Sequence, residues 1–91
     1  MRLAKVIGTV VATRKEESLT GLRLLVIDEI DPRSEQPKNN CLIAVDNMGA
    51  GAGDTVLWVQ GGAARVISDV HRYAPIDVAI VGIVDTVDVH E

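Results

Sequence analysis

The chain has 91 residues, a formal net charge of −4, one cysteine and no phenylalanine. This length fits a single domain, and an acidic balance without a basic stripe argues against nucleic acid as a partner. One cysteine excludes an internal disulfide framework, and no apolar stretch approaches the length of a membrane span or a signal-peptide core. We therefore expect a cytoplasmic protein with no membrane partner.

The apolar residues, 47% of the chain, are almost entirely aliphatic, with one Trp and one Tyr. Val and Ile favour strands because their branched side chains pack well on a pleated surface. Apolar runs and alternation predict five strands, at Leu3–Thr13, Leu22–Ile30, Cys41–Asp46, Thr55–Gln60 and Val78–Val84. The polar segment Asp31–Asn40 is expected to be a loop, and Ala63–Ile67 a short helix.

These elements predict an all-β fold, a small five-stranded OB-like β-barrel with one short helix, covering residues 1–91 as one domain. Strands of such a barrel should alternate between apolar and polar residues. The first, second and fifth predicted strands instead carry aliphatic residues on both faces. We therefore expect the outer face to meet other subunits in a homo-oligomer.

A loop of small residues separates the third and fourth predicted strands: Gly49, Ala50, Gly51, Ala52 and Gly53. A Walker loop would need a glycine where Asp54 stands with a lysine after it, and a dinucleotide fingerprint would also need a glycine there. The Asp54 carboxylate would in addition repel a phosphate. The small side chains favour close approach of a neighbouring subunit. The alternative is a tight hairpin that uses glycine only for its backbone angles.

Each remaining candidate residue has two competing interpretations, one functional and one purely structural. Arg65 either bridges to a carboxylate of a neighbouring subunit or is a solvated helix charge. Cys41 is expected to be buried and Trp58 to fill the barrel rather than anchor a partner. Two groups of residues are interpreted as chance rather than as a triad or a metal site: Ser68, Asp69 and His71, and Asp85, Asp88 and His90. We therefore expect no catalytic, cofactor or metal site.

Four segments resemble the pentameric vertex proteins of bacterial microcompartment shells, such as those of carboxysomes and ethanolamine-utilisation compartments. The first two are Ala4–Thr13 and Leu19–Leu25, and the last is Ile76–Asp85. The third, central segment consists of Ala44–Asp46, Gly49–Asp54, Val56–Leu57 and Gly61–Arg65. The resemblance implies an OB-like barrel that forms a homopentamer, rather than a hexamer, and caps the vertices of a polyhedral shell. It also implies hexameric or trimeric facet shell proteins as partners, no cofactor and no enzymatic activity. It would place the glycine loop near the five-fold axis or a neighbouring barrel.

Two other classes of function compete with this one. An OB-fold protein that binds single-stranded nucleic acid would need stacking aromatic residues in a basic groove, and this composition argues against both. A small enzyme or metabolite-binding ring would need a constellation of reactive or ligand-binding residues, which the sequence does not present.

Overall fold

The computed structural model describes residues 1–13, 15, 17–19, 21–62 and 77–90. Five strands form one sheet that closes into a barrel in the order β1-β2-β3-β5-β4. The strands are β1 (Arg2–Val10), β2 (Arg23–Ile30), β3 (Pro37–Asp46), β4 (Thr55–Gln60) and β5 (Val78–Val84), with a 3₁₀ helix at Glu17–Leu19. The prediction of an all-β, five-stranded barrel is confirmed.

Four of the strand pairs are antiparallel, namely β1 with β2, β2 with β3, β1 with β4 and β4 with β5. The barrel closes where β3 and β5 run parallel, with Val45 opposite Ala79. Consequently β3 and β4 follow each other in the chain but are separated in the sheet by β5. The segment between them crosses one end of the barrel.

Two strand boundaries differ from the predicted ones by three residues or more, and the starts of β1 and β2 differ by one residue. β1 ends at Val10 rather than Thr13, and β3 begins at Pro37 rather than Cys41. The polar start of β3 is extended because it pairs with β2, where Ile30 lies opposite Pro37. A register shift and the positive φ of Asn39 accommodate this pairing. The predicted helix at Ala63–Ile67 lies outside the described residues.

The interior of the barrel is filled by alternate residues of the strands. Trp58 is 1% exposed and is the largest fully buried side chain. Around it lie Ala4, Val6, Leu25, Ile27, Ala44, Ala50, Val56, Val78 and Ile80. One bulky indole therefore occupies the centre of a barrel lined by small aliphatic residues, and the prediction that Trp58 fills the barrel is confirmed.

A second apolar cluster lies on the outer face of the sheet where β3, β5 and β4 meet. It consists of Leu22, Val45, Val59 and Ala79, with Leu19, Leu24 and Val81 packed against it. Leu19 belongs to the 3₁₀ helix, so the connection between β1 and β2 covers this part of the sheet. The chain thus covers one patch of its own aliphatic outer surface and leaves others open.

Candidate subunit interface

The outer face of β1, β2 and β3 carries an open aliphatic row. Gly8, Val26 and Ile43 lie directly opposite one another across the three strands. Ile43 is 51% exposed, and Ile7 next to the row is also exposed. A Cβ on Gly8 would stand 4.0 Å from Val26, so the missing side chain leaves the row shallow and open. Exposed aliphatic groups in a row on a sheet are typical of a protein contact surface.

The neighbouring row on the same face is polar and corrects one prediction. Cys41 was expected to be buried, but it is exposed. It lies opposite Asp28, which in turn lies opposite Lys5. Cys41 faces outward because the alternate positions Leu42 and Ala44 supply the inner face of β3. The position of Cys41 at the start of an apolar run therefore led to a wrong prediction of the face on which its side chain lies.

The glycine loop, residues 47–54, crosses one end of the barrel. Because β3 and β4 are not neighbours in the sheet, the tight-hairpin alternative is wrong. The loop is tied to β1 instead: Gly53 N–H donates to the Val6 carbonyl at 2.8 Å, and Val6 N–H donates to the Asp54 carbonyl at 2.9 Å. Only Ala50 of the loop enters the core.

A buried carboxylate holds the first half of the glycine loop. Asp46 is 1% exposed and accepts hydrogen bonds from the N–H groups of Met48 at 2.8 Å and Ala50 at 3.0 Å. Arg23 lies 3.6 Å from the same carboxylate and donates to the Ala50 carbonyl at 2.8 Å. Burying Asp46 is tolerated because its charge is paired and its oxygens are hydrogen-bonded.

A second carboxylate holds the other half of the loop. Asp54 accepts a hydrogen bond from Gly51 N–H at 2.8 Å, and Asp54 N–H donates to the Gly51 carbonyl at 3.0 Å. Three loop amides, those of Met48, Ala50 and Gly51, are thus engaged by the protein's own carboxylates. This geometry agrees with the rejection of a nucleotide site from the sequence.

The glycines of the loop serve different purposes. Gly49 and Gly53 have positive φ values of 87° and 91°, which disfavour any side chain. Gly51 does not have a positive φ, and a Cβ there would meet only the Asp54 carboxylate at 3.9 Å. Within one chain, therefore, Gly51 has room for a larger residue.

The opposite end of the barrel is closed by Glu29. Its side chain is 7% exposed and accepts a hydrogen bond from the Asn40 amide at 2.8 Å. Arg2 and Lys38 lie 3.6 and 3.5 Å from the same carboxylate. The Asn40 hydrogen bond, supported by the two cations, lowers the pKa of Glu29 despite its burial.

Asp46, Arg23 and Glu29 were not among the site residues predicted from the sequence. The signal for Glu29 was present, because it continues the inward alternation of Leu25 and Ile27. A charged residue at an inward position predicts a buried, paired carboxylate. The partners of that carboxylate come from β1 and β3, and only the sheet register brings them together.

Some of the remaining predicted candidates lie outside the described residues, and the others lie in the exposed C-terminal segment. Arg65 and the segment Ser68–His71 lie in the part of the chain that the structure does not describe. In the C-terminal segment, His90 lies 3.3 Å from Asp88, and both side chains are highly exposed. Among the described residues, no three His, Cys, Asp or Glu side chains are grouped to hold a metal. None of the described helices is long and apolar enough to cross a membrane.

Comparison with known proteins connects this geometry to a family. The family model described as "Ethanolamine utilisation protein EutN/carboxysome" matches residues 1–85. The chain belongs to the EutN/CcmL family. The shell vertex protein GrpN of Rhodospirillum rubrum is 46% identical over 97% of both chains. The shell vertex protein EutN of Escherichia coli K12 is 40% identical over 96% of this chain and 90% of that protein.

Solved structures of EutN/CcmL proteins share the barrel. The pentameric shell protein GrpN from Rhodospirillum rubrum superposes with a TM-score of 0.88, covering 99% of this chain and 100% of that one at 43% identity. CcmL of Gloeobacter violaceus superposes with a TM-score of 0.90, covering 98% of this chain and 90% of that one at 38% identity. The relatives are structural shell proteins, and the resemblance recognised in the sequence is confirmed.

Proposed function

We propose that this chain forms a homopentamer that caps the vertices of a bacterial microcompartment shell in the cytoplasm. The observation that carries the proposal is its full-length similarity to a pentameric shell protein, with a TM-score of 0.88. The exposed row Gly8, Val26 and Ile43 supports it, because a barrel of this size otherwise keeps its outer face polar.

The mechanism is geometric rather than chemical. Hexagonal subunits tile a flat facet or roll into a tube, and a sheet of hexagons closes into a polyhedron only when pentagons are inserted. A five-fold ring with closed cyclic symmetry supplies such a pentagon. In this mechanism the chain acts on no substrate, and hexameric or trimeric facet shell proteins surround each ring.

The nucleic-acid alternative has less support. A single-strand binder offers aromatic faces on which bases stack. The only tryptophan is enclosed in the barrel, and Tyr73 lies outside the described residues. The formal net charge of −4 also gives the chain no excess of cations to neutralise phosphates.

The oligomeric state is tested by light scattering coupled to size exclusion. Five chains of 9.7 kDa give a mass of about 48 kDa for a closed ring. A mass near one chain at micromolar concentration would contradict the assembly. A six-chain mass would contradict its role at a vertex.

The role at the vertex is tested by producing the cognate facet proteins with and without this chain and imaging the particles. We expect closed polyhedra with it, and open or elongated bodies without it. Closed polyhedra in its absence, with no other vertex protein present, would refute the proposal. Enzymes assayed outside the shell should be unaffected by its loss.

A further inference from the structure

A cavity of about 400 Å³ opens at the Glu29 end of the barrel. Its wall includes the apolar side chains of Leu3, Ile30 and Leu57, together with Arg2, Lys38 and Glu29. We call it the Glu29 cavity. It combines an apolar surface with charged groups fixed at one side, the composition of a site that recognises a short peptide segment.

The charges of the Glu29 cavity do not balance. Arg2 and Lys38 share the single carboxylate of Glu29, which already accepts a closer hydrogen bond from Asn40. Both cations remain about half exposed, at 56% and 51%. Asp31 interacts with Lys38 but does not line the cavity, and its carboxylate accepts hydrogen bonds from the backbone N–H groups of Arg33 and Ser34. The side chains that line the cavity therefore include one more cation than anion, and this wall suits a carboxylate.

The C-terminal segment Asp85–His90 has the complementary chemistry. In it Asp88 lies between the valines Val87 and Val89. Val89 is 43% exposed, and Asp88 has an ion pair only with the exposed His90 among the described contacts. If extended, this segment presents Asp88 to one side and Val87 and Val89 to the other.

In its own chain, β5 passes Leu57 of the Glu29 cavity before the segment begins. β5 runs from Val78, opposite Gln60, to Val84, opposite Thr55. It therefore leaves the sheet beyond Thr55, whereas the cavity lies toward Leu57 and Leu3. Residues 84–87 instead line a cavity with Thr55 and Glu35. To reach its own Glu29 cavity, the segment would have to reverse along β4.

We propose that the C-terminal segment of one copy binds in the Glu29 cavity of the next copy around the ring. The proposal rests on the proposed pentamer. A cyclic ring is held by heterologous contacts, in which two different surfaces of each subunit meet. The cavity and the segment are two such surfaces with complementary charge. In this arrangement Asp88 pairs with Arg2 and Lys38 of the neighbour, and Val89 contacts Leu3 and Leu57.

Cross-linking tests the contact directly. In a Cys41→Ser background, Leu3→Cys and Val89→Cys are combined and treated with a short bismaleimide. We expect covalent species of two to five chains on a denaturing gel, ending at a closed ring. Val11→Cys combined with Val89→Cys is the matched control, since Val11 is exposed beyond the other end of β1. This control should give no ladder.

Charge variants then test the chemistry. In the Leu3→Cys, Val89→Cys background, Asp88→Lys should reduce the cross-linking yield several-fold, whereas the conservative Asp88→Glu should leave it unchanged. Asp88 is highly exposed, so its replacement leaves the fold intact. An unchanged yield in Asp88→Lys would overturn the charge pairing on which the proposal depends.

The remaining outcomes separate this proposal from the proposed function. In a ring whose mass is about 48 kDa, two results would overturn the contact between the C-terminal segment and the Glu29 cavity. These are cross-links confined within single chains and the absence of any cross-link. Either result would leave the proposed pentamer intact. Single chains by light scattering, before any cross-linker is added, would overturn both.

Discussion

At the scale of single residues, this barrel depends on two buried carboxylates, one at each end. Asp46 organises the glycine loop, and Glu29 gathers Arg2, Lys38 and Asn40 from two strands. Each satisfies polar groups that would otherwise lack partners at an end of the apolar interior. The acids are therefore structural, although their burial and fixed partners resemble those of functional sites.

Replacing Asp46 with Ala should destabilise the chain strongly. The N–H groups of Met48 and Ala50 would lose their acceptor, and Arg23 would lose its ion pair. Since an unsatisfied buried donor costs about 1–3 kcal/mol, we expect the free energy of unfolding to fall by about 2–4 kcal/mol. Urea denaturation measures it, with Asp54→Ala as the comparison at the more accessible carboxylate. Equal, small losses in both variants would contradict the role given to Asp46.

Glu29 should make stability depend on pH on the acid side. Its pKa is lowered in the folded state, mainly by the Asn40 hydrogen bond, so its contribution is complete above the ordinary glutamate range. The contribution is lost as the pH falls through the lowered value. Glu29→Gln should therefore be less stable at neutral pH, and its difference from the parent should vanish in acid.

Thermal unfolding from neutral pH into acid, at one fixed protein concentration, measures this convergence. Some acid dependence should survive in Glu29→Gln, because the backbone N–H groups of Arg33 and Ser34 also lower the pKa of Asp31. Asp31→Asn separates that contribution. A difference between Glu29→Gln and the parent that stays constant across the pH range would contradict the assignment.

At the scale of elements, the glycine loop and the aliphatic row of Gly8, Val26 and Ile43 remain candidates for subunit contact. The loop crosses a barrel end, held by Asp46, Asp54 and the backbone of β1. Its positive-φ positions explain Gly49 and Gly53 within one chain, but they do not explain Gly51. A residue that is small without a local reason is a useful probe of contacts with another chain.

We expect Gly51→Leu to impair ring assembly with little effect on the fold of a chain. Nothing but the Asp54 carboxylate at 3.9 Å lies near a Cβ there, and the φ is not positive. Gly62→Leu is the matched control, since a Cβ there meets none of the described residues within 4 Å and the φ is again not positive. Native mass spectrometry compares the two variants. Intact rings in both would show that the loop does not approach a neighbour.

At the scale of the whole molecule, the sheet leaves part of its aliphatic outer face uncovered. The 3₁₀ helix packs over the cluster around Val45 and Ala79. The row of Gly8, Val26 and Ile43 has no such cover among the described residues. A single barrel therefore exposes apolar surface that a second copy can cover, as expected for a subunit of a closed ring.

Ile43→Asp should weaken the pentamer. Burying an unpaired carboxylate in a subunit contact costs about 3–5 kcal/mol, so the ring's dissociation constant should rise roughly 100-fold or more. Ile43 is half exposed in the single chain, so its fold should be retained. Light scattering over a concentration series measures the shift, with Val11→Asp as the control at an exposed site outside the row. Equal masses for both variants would exclude this row from the ring contact.

The sequence by itself determined the strand content, the bounds of β4 and β5, the enclosed tryptophan and the family. Each follows from local properties: β-branched runs, alternation, one large aromatic residue, and segments in a recognisable order. The same local properties misplaced Cys41 and missed the polar start of β3. Both depend on which residues of β2 lie opposite, and local sequence does not specify that register.

Only the tertiary structure decided how the barrel ends are closed. Glu29 meets Arg2, Lys38 and Asn40 because β1 and β3 flank β2 in the sheet. The glycine loop crosses the barrel rather than turning a hairpin because β5 lies between β3 and β4. Both features depend on which strands pair in the closed barrel. Those strands are distant from one another in sequence, so local sequence does not specify their pairing.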